Sequence, residues 1–162
     1  MLALRILWFI NKYITISFYK LCYGRNLMLP LSCKFRFGLN IVIDNKIAIV
    51  KIGENCFFNN FCSINSLCKI EIGNNVIMGE NVKIYDHNHK YKEHNVVINN
   101  QGFTCKPIKI GNNCWIGSNV TILKGVTIGD NCVIGAGCVI YKEVPSNTLV
   151  INKQDIIYRN TE

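Results

Sequence analysis

Charge is scarce in this chain. Asp, Glu, Lys and Arg make up 17% of its 162 residues, against 49% for the hydrophobic types. So little charge with so much Ile, Val and Cys points to an all-β solid rather than a helical bundle. None of the nine cysteines forms a Cys-x-x-Cys pair, which argues against a zinc ribbon or a redox dithiol. The net charge of +8 favours an anionic partner: a phosphorylated cofactor, a membrane surface or nucleic acid. No dense run of Lys and Arg interleaved with aromatics occurs, so nucleic acid is the weakest of these. The first stretch, MLALRILWFINKYITISFYKLCY, is apolar but interrupted by Arg5, Lys12 and Lys20. It lacks the basic start and small-residue cleavage site of a signal peptide, and it has no charge-free run of about 18 residues to span a bilayer. Two readings of it stand: a helix or coil packed on the main body, or a helix lying on a membrane.

What is present is a period. From Ile110 the chain divides into sixes: IGNNCW, IGSNVT, ILKGVT, IGDNCV, IGAGCV, IYKEVP. Ile heads every six, from Ile110 to Ile140. Gly follows it at Gly111, Gly117, Gly129 and Gly135, and Cys or Val stands four places after it, from Cys114 to Val144. An earlier half repeats this less cleanly: IGENCF, FNNFCS and INSLCK from Ile52, a slip of two residues, then IGNNVI, MGENVK and IYDHNH from Ile72. A six-residue period suits neither a helix nor a simple alternating strand. It suits a solenoid in which each six is one short strand and one turn, three sixes closing a triangular coil. The Ile position points inward with the small Cys or Val packed beside it. Gly, Asn and Asp serve corners where positive φ is needed. Thiols repeating every six residues read as small apolar fillers in a reducing compartment, the cytoplasm.

These motifs resemble the hexapeptide-repeat acyltransferases, closely over residues 50–150 and weakly outside. IYDHNH…QGFTCKPIKIGNNCWIGSNVTILKGVTIGDNCVIGAGCVI is most similar to the sugar O-acetyltransferases of the maltose and galactoside type. Its DHNH variant is similar to the branch acting on capsule or lipopolysaccharide sugars. The resemblance implies an all-β, left-handed parallel β-helix with a short N-terminal helical or irregular segment. It also implies a homotrimer with active sites between subunits, and acetyl-CoA as co-substrate with no metal expected. The expected divisions are an N-terminal segment over 1–35, the β-helix over 36–150 with an excursion loop over 90–109, and a tail over 151–162. The implied acceptor is a sugar or glycan hydroxyl in the cytoplasm, or at the inner face of the membrane if the N-terminal segment touches it.

All three histidines, His87, His89 and His94, stand in twelve residues beside the one stretch that breaks the repeat. Long loops in compact domains are often functional, and histidine titrates near neutrality. His94, inside the loop, reads as a solvated residue. His87 and His89 sit in the last strand and corner, with Asp86 available to orient either imidazole. Matching to the family motif puts the general base at His89, with His87 second. The resemblance also points to the turn at Gly117–Ser118 for oxyanion donors, to Asn59 for the acceptor, and to Trp115 beside cofactor or acceptor. Gly117, Ser118, Gly135 and Ala136 are small enough for backbone amides to approach a pantetheine arm. Lys142 matches a residue that contacts coenzyme A phosphate. In the divergent tail the nucleotide end would fall to Lys153 and Arg159. Three alternatives remain: an N-acetyltransferase acting on an amino sugar, a metalloenzyme like the γ-class carbonic anhydrases, and a non-catalytic trimeric scaffold.

Overall fold

A computed structural model of the chain describes the backbone of residues 2–153 and 159, and the side chains of residues 10, 12–153 and 159. The sixes wind into the three-sided prism expected from the repeat, the left-handed parallel β-helix that the resemblance implies. The first face stacks Leu27–Met28, Ile49–Ile52, Lys69–Ile72, Ile108–Ile110 and Thr127–Ile128. The second stacks Lys34–Phe35, Phe57–Phe58, Ile77–Met78, Trp115–Ile116, Val133–Ile134 and Leu149–Val150. The third stacks Asn40–Ile43, Ser63–Ser66, Lys83–Tyr85, Thr121–Ile122 and Val139–Ile140. Every pairing within a face is parallel and in register, as in Trp115 with Val133 and Thr121 with Val139. Coiling therefore begins at Leu27, inside the segment 1–35.

The core is the inward column of each face. Ile64, Ile84, Ile116, Ile122 and Ile134 are at most 1% exposed, and Val120, Cys132 and Cys62 pack between them. The cysteines do more than fill space. Cys56 donates its thiol to the Gly73 carbonyl at 3.1 Å, Cys62 to Gly79 at 3.2 Å and Cys114 to Gly129 at 3.1 Å. Each bond ties a corner to the next coil, which valine at that position cannot do. Burial pushes the Cys62 thiol up to about 11 and raises Cys114 as well. Cys62 and Cys114 therefore stay protonated at neutral pH and offer no nucleophile.

The corners divide labour between two residue types. Positive φ is supplied by Gly125 and Gly137, at +79° and +73°, by Phe61 at +60°, and mostly by asparagine: Asn55, Asn75, Asn81, Asn113, Asn119, Asn131 and Asn147 lie between +53° and +61°. Their side chains also form ladders between coils, as in Asn113 to Asn131 at 2.8 Å and Asn131 to Asn147 at 3.1 Å. The glycines after each Ile have ordinary φ and serve close approach instead, so of the corner residues expected from the sequence it is Asn, Gly125 and Gly137 that supply positive φ. A Cβ at Gly111 would lie 2.6 Å from the Gly129 carbonyl carbon and 2.7 Å from the Asp130 nitrogen. Both are backbone atoms held in the coil above, so neither yields cheaply. Gly111→Ala is expected to cost about 1–3 kcal/mol of stability by overpacking. Urea titration checks this, and an unchanged midpoint would show that the coils can spread.

The third corner, between the third and first faces, takes up every irregularity. Two extra residues sit there at 66–68, which is the slip seen in the sequence. One coil later the chain leaves after Asp86 and returns at Ile108. The step from Ile77 to its partner Trp115 accordingly rises to 38 residues, against 18 from Trp115 to Val133. The excursion is a two-stranded antiparallel arm, His87–His89 against Phe103–Cys105, so it begins before the 90–109 read from the sequence. Gln101 pins its loop by donating to the carbonyls of Glu93 and Val96 at 2.9 and 2.8 Å.

The N-terminal segment is one helix, Leu2–Tyr23, longer than the short element expected. Neither Gly nor Pro interrupts it, and it stops at Gly24, whose φ of +51° ends the helical run. It lies across the open base of the prism. The Tyr19 hydroxyl donates to the Leu39 carbonyl at 2.8 Å, the Tyr23 hydroxyl to Ile41 at 3.0 Å, and Lys12 to Leu31 at 2.5 Å. Among the described residues no helix is long and apolar enough to cross a membrane.

Candidate active site

Asp86 is the last residue of the coil before the arm, and it is fully buried. Its carboxylate fills the corner opened by the two-residue slip. Oδ2 accepts from the Ser66 hydroxyl at 2.7 Å and the Cys68 amide at 2.9 Å, while Oδ1 accepts from the Leu67 amide at 2.8 Å. His87 Nδ1 is also 3.1 Å from Oδ1. Sequence left open which imidazole Asp86 orients; the structure joins it to His87. That ring is half-buried, edge-on to Phe103 with centroids 5.4 Å apart.

His89 pairs with Phe103 across the arm, its ring 4.4 Å from the phenyl centroid, and it is exposed. Both histidines therefore belong to the arm, not to a strand of the prism. His89 opens onto a groove of about 530 Å³ lined by Asn88, Lys90, Tyr91, Gln101, Thr104 and Lys124 among others. Lys124 anchors the arm to the coil above through the Thr104 hydroxyl. Gly125 donates to the Lys106 carbonyl at 3.2 Å. Sequence reasoning missed Lys124, Thr104 and Phe103. Lys124 was legible in ILKGVT as the six that breaks the IG pattern, whereas Phe103 needed the pairing of the arm strands. His94 is exposed, as expected.

The remaining candidates stand elsewhere. Asn59, Gly117 and Gly135 form one column at the corner between the second and third faces, stacked through Asn59 to Met78, Gly117 to Ile134 and Gly135 to Val150 backbone bonds of 2.7–3.0 Å. Those bonds consume the Gly117 and Gly135 amides. A Cβ on Gly117 would meet the Ala136 nitrogen at 2.6 Å. Ser118 accepts from the Glu80 amide at 3.1 Å, which leaves its hydroxyl proton to donate. Asn59 accepts from the Asn60 amide at 2.9 Å through Oδ1, leaving its NH₂ group. Trp115 projects from the second face, 57% exposed, between Ile77 and Val133. Ala136 is exposed beside this column. Lys142 is exposed above Lys124 at the third corner, its ammonium 5.5 Å from the Tyr141 ring. Lys153 and Arg159 are exposed in the tail, where residues 154–158 and 160–162 lie outside the described residues.

Two clusters thus occupy the two edges of the third face: histidines and lysines on one, Asn59 with the glycine column on the other. From Ser118 to Lys124 the chain runs six residues, about 20 Å of extended backbone, so a single chain does not bring them together. Among the described residues no three His, Cys, Asp or Glu side chains are grouped to hold a metal ion.

Several known proteins resemble this chain in sequence and fold. The family model for bacterial transferase hexapeptide (six repeats) matches residues 107–142. Galactoside O-acetyltransferase of Escherichia coli is 37% identical over 126 residues, covering 78% of this chain and 57% of its own. A solved galactoside acetyltransferase in complex with coenzyme A is 31% identical, with a TM-score of 0.56, covering 87% of this chain and 76% of that one. A hexapeptide-repeat acetyltransferase from Vibrio cholerae, solved with acetyl coenzyme A, is 28% identical with a TM-score of 0.68, covering 83% and 71%. The chain spans about half the length, or less, of the first curated relatives it matches.

Proposed function

The chain belongs to the hexapeptide-repeat acetyltransferases, and from that membership we propose that it moves an acetyl group from acetyl-CoA to a sugar hydroxyl. The observation that carries this reading is the division of the site between the two edges of the third face. Turning the third faces of three copies toward a common axis sets the His89 edge of one against the Asn59–Ser118 edge of the next. A homotrimer would complete three sites in this way, using both clusters.

The residues fit the co-substrate. Gly117 and Gly135 keep the second edge flat enough for a narrow pantetheine arm, and Lys142 stands at the opposite edge as a phosphate partner. Trp115 borders the lane. A hydroxyl attacks the thioester carbonyl well only as its proton leaves, and His89 at the mouth of the groove accepts that proton. A new C–O bond forms, the C–S bond breaks, and the proton passes from His89 to the departing thiolate. The Ser118 hydroxyl and the Asn59 NH₂ group are donors for the developing oxyanion and the acceptor sugar. Cys62 and Cys114 are buried, with their thiol pKa values raised, and the proposed route is direct transfer without an acyl-enzyme. Surface glycan synthesis in the cytoplasm suits nine free cysteines and relatives named for lipopolysaccharide and colanic acid biosynthesis.

One specific observation favours a second reading of the base. His87 is the imidazole that Asp86 orients, and Asp–His pairing is how many catalytic bases are held in one tautomer. Calorimetric titration of the metal-free protein with acetyl-CoA tests the proposal as a whole. Saturable binding at about one site per subunit, followed by acetylation of a galactoside or maltose, is the expected result. A hydroxylamine-labile product marks an ester and O-transfer; a stable amide from an amino sugar marks N-transfer. No binding by folded, trimeric protein would overturn it.

A further inference from the structure

The N-terminal helix has two apolar faces, and the prism covers one. Lys12, Ile16 and Tyr19 are buried against the first coil. Ile10, Ile14, Phe18 and Leu21 stand 49%, 62%, 59% and 86% exposed. At about 100° per residue these four share an arc of about 80° on the side turned away from the prism, a ridge roughly 16 Å long. An amphipathic helix that only capped a solenoid would have no reason to carry it.

Charge narrows the choice of partner. Residues 1–43 contain six basic residues, Arg5, Lys12, Lys20, Arg25, Lys34 and Arg36, and no Asp or Glu; the first carboxylate is Asp44. Of the six, Lys20, Arg25, Lys34 and Arg36 are exposed at this same end of the prism. A second copy seated ridge to ridge would bring these like charges together with no acid to pair them. Nucleic acid would leave the ridge itself unmatched. An apolar stripe among cations is what a helix lying in a bilayer interface presents to anionic headgroups.

We propose that this end cap docks on an anionic lipid surface, with Ile10, Ile14, Phe18 and Leu21 seated at the acyl boundary and the four exposed cations at the phosphates. The helix lies across the base of the prism, so its ridge points along the solenoid axis. In the trimer proposed above, three ridges would share one plane, and their joint engagement raises affinity well beyond that of one. The docking itself rests only on the single chain. It would hold the acetyltransferase where lipid-linked acceptors lie.

Sedimentation of the full chain with sucrose-loaded vesicles tests this. Vesicles of phosphatidylcholine and phosphatidylglycerol in equal parts are expected to carry the protein down at least tenfold more strongly than phosphatidylcholine alone. Ile14→Glu with Phe18→Glu should abolish that binding. Lys20→Gln with Arg25→Gln should weaken it by about fivefold per cation removed. Ile14→Ser with Phe18→Ser, milder at exposed sites, guards against misfolding, with acetyl-CoA calorimetry and circular dichroism reporting an intact prism. Equal sedimentation with both vesicle types, none with either, or undiminished binding by the Glu and Ser variants would overturn the proposal. So would a wild-type assembly larger than a trimer that the Glu variant dissolves, since the ridge would then belong to a second copy. Acetyl-CoA binding is read separately, so loss of lipid docking and loss of the transferase reading cannot be confused.

Discussion

His89→Ala is expected to lower turnover by about 10²-fold or more while leaving acetyl-CoA binding nearly unchanged. The size follows from removing a general base, a loss of about 10²–10⁴ in rate. The selectivity follows from geometry. His89 is exposed and rests against Phe103, so its truncation opens no buried cavity and strands no buried polar group. The melting temperature should hold within a degree or two. The pantetheine arm would be received by the glycine column and the phosphates by Lys142, neither of which His89 supplies, so calorimetric affinity for acetyl-CoA should move by less than about threefold. His87→Ala supplies the contrast. It takes a partner from the buried Asp86 carboxylate and should therefore lower stability as well as activity. If His87→Ala abolishes turnover in folded protein while His89→Ala stays near wild type, the base is His87 and the Asp86 contact is its orienter. Normal turnover in both would remove the arm from the chemistry.

Much of this was legible in the sequence, because a solenoid repeats its physics every six residues. Ile at one position and Cys or Val four later announced inward columns, and the structure fills them as read. The resemblance, carried by the same motifs, named the fold's hand and the family. What local pattern could not supply was anything set between coils. Nothing in IGNNCW says that its glycine answers to the backbone of Gly129 rather than to its own φ. Nothing in IYDHNH says that Asp86 reaches back to an amide pair at Leu67 and Cys68. The two-residue slip and the arm looked like separate irregularities. They are neighbours at one corner, the first making the hole that Asp86 plugs and the second beginning at the residue that plugs it.

That plug makes Asp86→Ala the variant with the largest expected cost in stability. Removing the carboxylate leaves the Ser66 hydroxyl and the Leu67 and Cys68 amides facing a void, each stranded donor costing about 1–3 kcal/mol. Even after partial rehydration, a loss of about 3–5 kcal/mol is expected, the usual range for breaking one side of a buried charged network. Against a total of about 5–15 kcal/mol this is a large share. At about 2–4 °C per kcal/mol for a chain of this size, the midpoint should fall by about 6–20 °C. Asp86→Asn should lie between, because it keeps the shape and one acceptor but turns an NH₂ group toward a donor. Urea titrations of the three proteins should rank wild type, Asn, Ala in that order. An Ala variant within about 1 kcal/mol of wild type would mean that water takes over the carboxylate's bonds. The same variants separate corner from cradle. Asp86 holds the root of the arm and its carbonyl accepts from the Lys106 amide at 2.9 Å, so arm placement, and turnover with it, should degrade at temperatures where the prism is still folded. Acetyl-CoA affinity, which would draw on the glycine column of the other edge as well as on Lys142, should fall less than turnover until the coils themselves melt.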